Sequence, residues 1–371
     1  MPTVSRRQLL LATPALAMTA TRAGGTPFEV LSDNPRQLQA PLEALDCLLT
    51  PPERFFVRSH FGHPRLDRAR TLTVGGLVSR SSRWTLAALQ QLPPHSVTAV
   101  LQCAGNGRAF FQPAVPGLQW RHGALGQARW TGVRLATLLG LCGVRPGAAH
   151  VHFMGADRPP RPQVPPFVRR LPLEKALHAN TLVAWEMNGA PLVLEHGAPL
   201  RLVVPGWTGD HWLKWLVGIE LSAEAYRGYF VQEAYRIPST PVLPGTVVPP
   251  EQMAPVTALP VTSLITSPLE GATVARGELE IRGIAFSGNA EIATVEVSVD
   301  GGRRWGCAAL EGEPGEGRWQ RFRMSVRAPA GVMTAVARAT DSAGKVQPET
   351  TSWNPSGYLW NCWHRVTWSV E

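Results

Sequence analysis

Residues 101–111, LQCAGNGRAFF, set one cysteine between an apolar run and a Gly-Asn-Gly turn, with Arg108 five positions after the thiol of Cys103. A nearby guanidinium lowers a thiol's pKa and a turn exposes it, which is the setting of a reactive or metal-bound thiolate. A cysteine at a strand end can equally be a small core hydrophobe, and the local sequence leaves both readings open. Nucleophilic catalysis would need a paired histidine, which the sequence does not assign. One soft thiolate is a poor ligand set for zinc, but it suffices as the single protein bond to a metal whose other ligands come from a cofactor. The remaining cysteines, Cys47, Cys142, Cys307 and Cys362, are widely and irregularly spaced, with no C-x-x-C pair. That excludes thioredoxin-like redox chemistry, most zinc knuckles and c-type haem attachment, and it argues against a disulfide framework. Five is an odd number, so at least one thiol is free or ligated.

Charge points the same way. Lys and Arg number 36 against 27 Asp and Glu, a net +9 carried mostly by arginine, whose planar fork suits phosphate, sulfate or carboxylate. Nucleic acid does not fit, because no nucleic-acid module signature is present. Ser5-Arg6-Arg7-Gln8-Leu9-Leu10-Leu11 leads into a weakly apolar stretch with small residues at Ala15, Ala17 and Ala23. We read residues 1–25 as a twin-arginine export signal and expect a periplasmic protein; a basic amphipathic helix is the alternative. That route carries folded proteins, often around a prosthetic group. No run approaches the roughly 20 apolar residues of a membrane span.

The elements that must position these residues follow from periodicity. A short helix is expected before Pro51-Pro52, then an extended RFFVRSHF segment, a strand in RTLTVGGLV and a helix in TLAALQQLP. SVTAVLQC is a strand whose end delivers Cys103 into its turn. VRLATLLGLCGV has the spacing of a core helix, which makes Cys142 a buried small hydrophobe. PLRLVVPGW and LKWLVGIEL read as further strands. Strands and short helices mix without a βαβ period, so residues 26–240 form an α+β domain rather than a doubly wound one. Residues 241–260 read as a proline-rich, semi-rigid connector. Beyond it, VTSLITSP, ELEIRGIAF, IATVEVSVDGG, WQRFRMSVRAP and VMTAVARATDSAG alternate as the strands of an all-β, immunoglobulin-like sandwich over 261–371.

Six stretches in order, FFVRSHF, LQCAGNGR, GLQWRHGALGQARWTGVRL, WEMNGAPL, HGAPLRLVVPGWTGDHWLKW and WNCWHRV, resemble the signatures of the sulfite oxidase family of molybdopterin-dependent oxidoreductases. The resemblance covers nearly the whole chain after the leader. It implies a mixed molybdopterin-binding domain followed by a dimerisation sandwich, with a molybdenum-molybdopterin cofactor. Cys103 matches the thiolate ligand to the metal. Arg58 and Arg108 match arginines lining the substrate pocket, Trp120 an aromatic on the same wall, and Tyr235 a tyrosine beside the metal. His60, His196, Arg201 and Lys214 match residues holding the pterin and its phosphate.

The resemblance further implies oxidation of sulfite, or a related sulfur oxyanion, to sulfate by oxygen-atom transfer, with electrons passed to an external cytochrome c. Its close variant is a sulfane dehydrogenase subunit acting on protein-bound sulfane sulfur with a haem partner. Either a homodimer or a heterodimer with a haem subunit is expected. An exported anion-binding protein is the reading outside enzymology. Two departures stand out: Gly107 replaces the first of two arginines found in animal members, and Ser356 stands where many members place an arginine from the second domain. One fewer cation weakens binding of a dianion or admits another sulfur compound.

Overall fold

A computed structural model describes residues 27–65, 67 and 71–371; the export signal expected at 1–25 lies outside them. The first domain holds two five-stranded sheets. In one, the strand His95–Gln102 pairs with Leu125–Arg134, which pairs with Leu182–Met187; Ala190–Pro191 and Arg201–Val203 both add to the last, all antiparallel. In the other the order is Ser82–Thr85, Thr71–Gly76, Leu216–Ser222, His150–Gly155 and Val168–Pro172, with one parallel pair between Thr71–Gly76 and Leu216–Ser222. The helix Leu135–Cys142 buries Leu135, Leu138, Leu139 and Cys142, the i, i+3, i+4, i+7 stripe of a core helix. Cys142 is only 1% exposed, as its position in the helical pattern requires.

The expected helix before Pro51 is no more than the 3₁₀ turn Leu42–Leu45. Pro41 precedes it, and Asp46 just after it accepts from Arg282 at 2.8 Å and Arg321 at 3.1 Å, so the chain is drawn to the second domain instead of winding on. The flanks of the proline-rich stretch are held down. Arg236–Pro238 pairs with Met253–Pro255, and Val256 and Leu259 are buried, while Leu243 and Val247 at the tip of the loop are exposed. Proline fixes φ and removes donors, but it leaves the flanking apolar side chains free to pack.

The second domain is a two-sheet sandwich. One sheet runs Thr262–Ser267, Gly277–Phe286, Gln320–Ala328, Ala309–Glu311; the other runs Thr273–Val274, His364–Val370, Gly331–Asp341, Ile292–Ser298, Gly306–Cys307. The final strand buries His364, Val366, Trp368 and Val370 in strict alternation. Its own core lies between the sheets around Ile281, Phe322 and Trp368. A separate cluster joins the domains: Ala40, Leu45, Val100 and Leu125 pack with Leu264, Ile284, Phe286 and Trp319. Trp319 is fully buried there, its indole N–H donating to the Cys47 carbonyl at 3.0 Å and its backbone N–H to Gln127 Oε1 at 2.6 Å. Each such side chain contributes about 1.5–3 kcal/mol on burial, so the domains share one rigid seam. No helix among the described residues is long and apolar enough to cross a membrane.

Candidate active site

The end of His95–Gln102 hands Cys103 to a tight turn. Its N–H donates to the Ala124 carbonyl at 2.9 Å, its carbonyl accepts from Asn106, and Asn106 Oδ1 accepts from the Ala124 N–H, also at 2.9 Å. The thiol is free and opens into a cleft. Arg58 and His60 reach the cleft from the extended segment after Pro52, His196 from the turn Leu194–His196, and Arg201 from its strand. Lys214 and Tyr235 complete it. Seven of the nine expected residues therefore meet.

The deep end is a nest of positive groups. The Arg201 guanidinium is buried between Trp130 and Trp212, with its carbon 4.7 and 5.9 Å from the ring centroids. It donates to the His196 carbonyl at 2.9 Å and the Trp212 carbonyl at 3.1 Å, while its Nε has no partner. Burial pulls its pKa down to about 9. Lys214 donates to Ser59 Oγ at 2.7 Å and the Glu195 carbonyl at 2.8 Å. Burial, then the repulsion of Arg201, holds its ammonium well below the ordinary lysine range, with Asp157 acting the other way. The Asp157 carboxyl, a residue that sequence reasoning missed, is itself pushed up to about 6, chiefly by burial. No ion pair joins Arg58, Arg201 or Lys214 to a carboxylate among the described residues.

His196 brings a hydrogen bond to the cradle and no charge. Its Nε2–H donates to the Pro52 carbonyl at 3.0 Å, and burial lowers its pKa to about 4, so it is neutral at physiological pH. Charge for an anion comes from Arg201, with Lys214 beside it as a further donor.

At the other end Tyr235, in a left-handed conformation with φ 55°, places its hydroxyl 2.7 Å from His60 Nε2. His60 lies flat against Phe167, centroids 3.9 Å apart, with Phe230 edge-on. Burial raises the phenol well above its usual range, and burial together with Arg58 and Arg169 lowers the imidazole. Both are neutral, and the direction of their hydrogen bond follows the imidazole tautomer.

Arg108 and Trp120 do not line this cleft. Arg108 runs behind the wall, donating to the Ser356 carbonyl through Nε (3.3 Å) and Nη2 (3.1 Å) and to the Leu118 carbonyl through Nη1 (3.2 Å). Three glycines make way for it, since a Cβ on Gly105, Gly117 or Gly357 would come within 2.8 Å of its side chain. Trp120 is fully buried, edge-on to Phe56 at 6.5 Å, its indole N–H without a partner. The Gly107 departure has a steric cause. With φ 83° and a would-be Cβ 2.5 Å from that of Trp360, no side chain fits there.

The donor set suits a phosphate-bearing metal cofactor. A free soft thiol faces one side of the cleft, and two buried basic side chains, Arg201 with an orphaned Nε–H and Lys214, face it without an ion pair to a carboxylate among the described residues. Residues 60–230 match the oxidoreductase molybdopterin binding domain and residues 253–371 the Mo-co oxidoreductase dimerisation domain, which defines the class as a molybdopterin-dependent oxidoreductase. The mitochondrial sulfite oxidase of Rattus norvegicus is 37% identical over 358 residues, covering 91% of this chain and 65% of that protein. The sulfite oxidase of Arabidopsis thaliana is 33% identical, covering 91% of this chain and 93% of its own. The chain belongs to the sulfite oxidase family. It spans about 65% of the length of the mammalian relatives. The sulfane dehydrogenase SoxCD of Paracoccus pantotrophus superposes with a TM-score of 0.81 at 27% identity, over 97% of this chain and 96% of that one.

Proposed function

We propose that this protein is a periplasmic molybdenum oxidoreductase that oxidises sulfite to sulfate and passes the electrons to a separate cytochrome c. The observation that carries the reading is the free Cys103 thiol facing the same cleft as Arg201 and Lys214, neither of them ion-paired to a carboxylate among the described residues. Cys103 would hold the metal, and Arg201 and Lys214 the phosphate of the pterin. When bound, the molybdenum centre supplies oxygen-atom transfer and two-electron redox chemistry.

The chain's own residues do the rest. The Arg58 guanidinium faces the cleft and attracts the oxyanion, each charge-assisted hydrogen bond contributing about 1.5–3 kcal/mol. Tyr235 and His60, both neutral, hold one proton between them beside the substrate's oxygens without adding charge. The aromatic wall of Phe167 and Phe230 limits water around that pair. Export by the twin-arginine route and assembly as a homodimer, or as a heterodimer with a haem subunit, belong to the same proposal; the dimerisation-domain match supports the assembly.

A sulfane dehydrogenase acting with a haem partner is the second reading. It is favoured by the withdrawal of Arg108 and by Ser356, which leave Arg58 as the substrate arginine in the cleft, and by the likeness to SoxCD. Protein made in a molybdopterin-competent host should carry close to one molybdenum per chain and reduce cytochrome c with free sulfite. Metal-bearing protein that ignores free sulfite favours the second reading; protein without molybdenum overturns both and leaves an anion-binding role.

A further inference from the structure

Four side chains form a single column behind the reacting end of the cleft. The Arg169 guanidinium carbon lies 4.9 Å from the centroid of the Tyr235 ring. The Tyr235 and Tyr358 rings stack with centroids 5.5 Å apart and planes inclined by only 6°. The Arg108 guanidinium carbon lies 5.0 Å from the Tyr358 centroid. Cation, ring, ring, cation is an arrangement in which each π face meets a partner that its quadrupole favours. Both ends are anchored: Arg169 on Asp210 and the Phe230 carbonyl, Arg108 on the carbonyls of Ser356 and Leu118.

The column crosses the domain boundary. Tyr358 arrives on a loop of the second domain that is pinned from both directions. Asn354 Oδ1 accepts from the Tyr358 N–H at 3.1 Å and Asn354 Nδ2 donates to the Tyr358 carbonyl at 3.0 Å. The next residue, Leu359, donates its N–H to the carbonyl of Ala104 at 3.0 Å, one residue from the Cys103 thiol. The Tyr358 hydroxyl has no hydrogen-bond partner in the protein among the described residues, so what the side chain contributes is its ring. Without that ring one face of Tyr235 would lose its partner, and the hydroxyl 2.7 Å from His60 would lose its support.

We propose that Tyr358 is a positioning residue: its ring, delivered by the second domain, fixes Tyr235 so that the phenol stays on His60 and at the cleft. The proposal deepens the functional reading above and rests on it for the role of Tyr235.

The chain has four tyrosines, which makes ring-labelled tyrosine NMR of the full-length, cofactor-free protein tractable, with Tyr235→Phe assigning its signal. The Tyr235 ring resonance should be displaced by the stacked ring in the wild type and in Tyr358→Phe, and should return toward the free-tyrosine position in Tyr358→Leu. In the molybdenum-loaded enzyme Tyr358→Leu should lower kcat for sulfite about 10- to 100-fold with KM within about threefold, the pattern of a misplaced catalytic group, while Tyr358→Phe stays near wild type. Should Tyr358→Leu fail to fold, Tyr358→Met keeps the bulk without the planar ring and takes its place. A Tyr235 resonance and kcat unmoved by loss of the ring, or a Tyr358→Phe protein as impaired as Tyr358→Leu, overturns the idea. If the wild type itself does not turn over sulfite, the functional reading fails while the NMR comparison still decides the stack.

Discussion

Converting His196 to glutamine isolates one titration inside the cofactor cradle. Glutamine keeps an N–H donor near the position of Nε2 for the Pro52 carbonyl and removes the ionisable ring. Burial holds the folded imidazole at about 4, against an ordinary value near 6.5. The unfolded chain therefore binds the extra proton first as pH falls, and stability that is present above 6.5 is lost as pH drops toward 4. The difference between those two values corresponds to about 3 kcal/mol in all, of which about 2 kcal/mol is lost between pH 7 and pH 5. Urea unfolding of cofactor-free wild type and His196→Gln at those two pH values reads this directly, because every other titrating group cancels in the comparison. The wild type should lose about 2 kcal/mol more than the variant. Equal losses would mean that the folded imidazole titrates at its ordinary value, so that burial does not hold His196 neutral as the pH falls.

Other consequences follow from the same packing. Gly107→Ala combines a left-handed φ with a collision at Trp360, and should cost about 2–6 kcal/mol by urea unfolding, partly recovered when Trp360 is also reduced to alanine. Trp319→Ala empties the seam between the domains and should cost about 3–5 kcal/mol, splitting one calorimetric transition into two. Inorganic phosphate at a hundred times its Kd should stabilise the cofactor-free protein by about 2.7 kcal/mol, and Arg201→Met should abolish the effect; a thermal scan with no phosphate shift in the wild type would contradict the cradle. Cys103→Ser keeps the backbone bonds of its turn, so it should fold normally and yet lose its molybdenum when the metal is measured after purification.

Much of the fold was legible because strand and helix periods are local. The strand ending at Gln102, the helix Leu135–Cys142 and five of the sandwich strands lie where alternation or a three-to-four spacing puts them. The last strand is harder to see, although His364, Val366, Trp368 and Val370 alternate inward, because its opening residues coincide with the WNCWHRV signature. The position of Cys103 at a strand end before a glycine turn was equally local. Its partners were not: Arg58, His196 and Tyr235 come from segments far apart in sequence, and only the family register brought them together. The same distance explains the misplaced residues. Arg108 turns away because Ser356 and Tyr358, some 250 positions later, receive it, and nothing near residue 108 encodes that. The neutrality of His196 depends on burial, which a motif does not carry. Asp157 sits in an irregular stretch with no periodicity to mark it.

The loop that brings Tyr358 against Tyr235 follows the whole of the first domain in chain order. On the ribosome, then, the ring behind Tyr235 stays missing until the second domain has been made, however early the cysteine and the cradle have formed. A cofactor loaded into that nascent chain would meet a Tyr235 without its stacked partner, so arrival of the second domain's loop, more than completion of the first domain, marks the moment at which the site is whole.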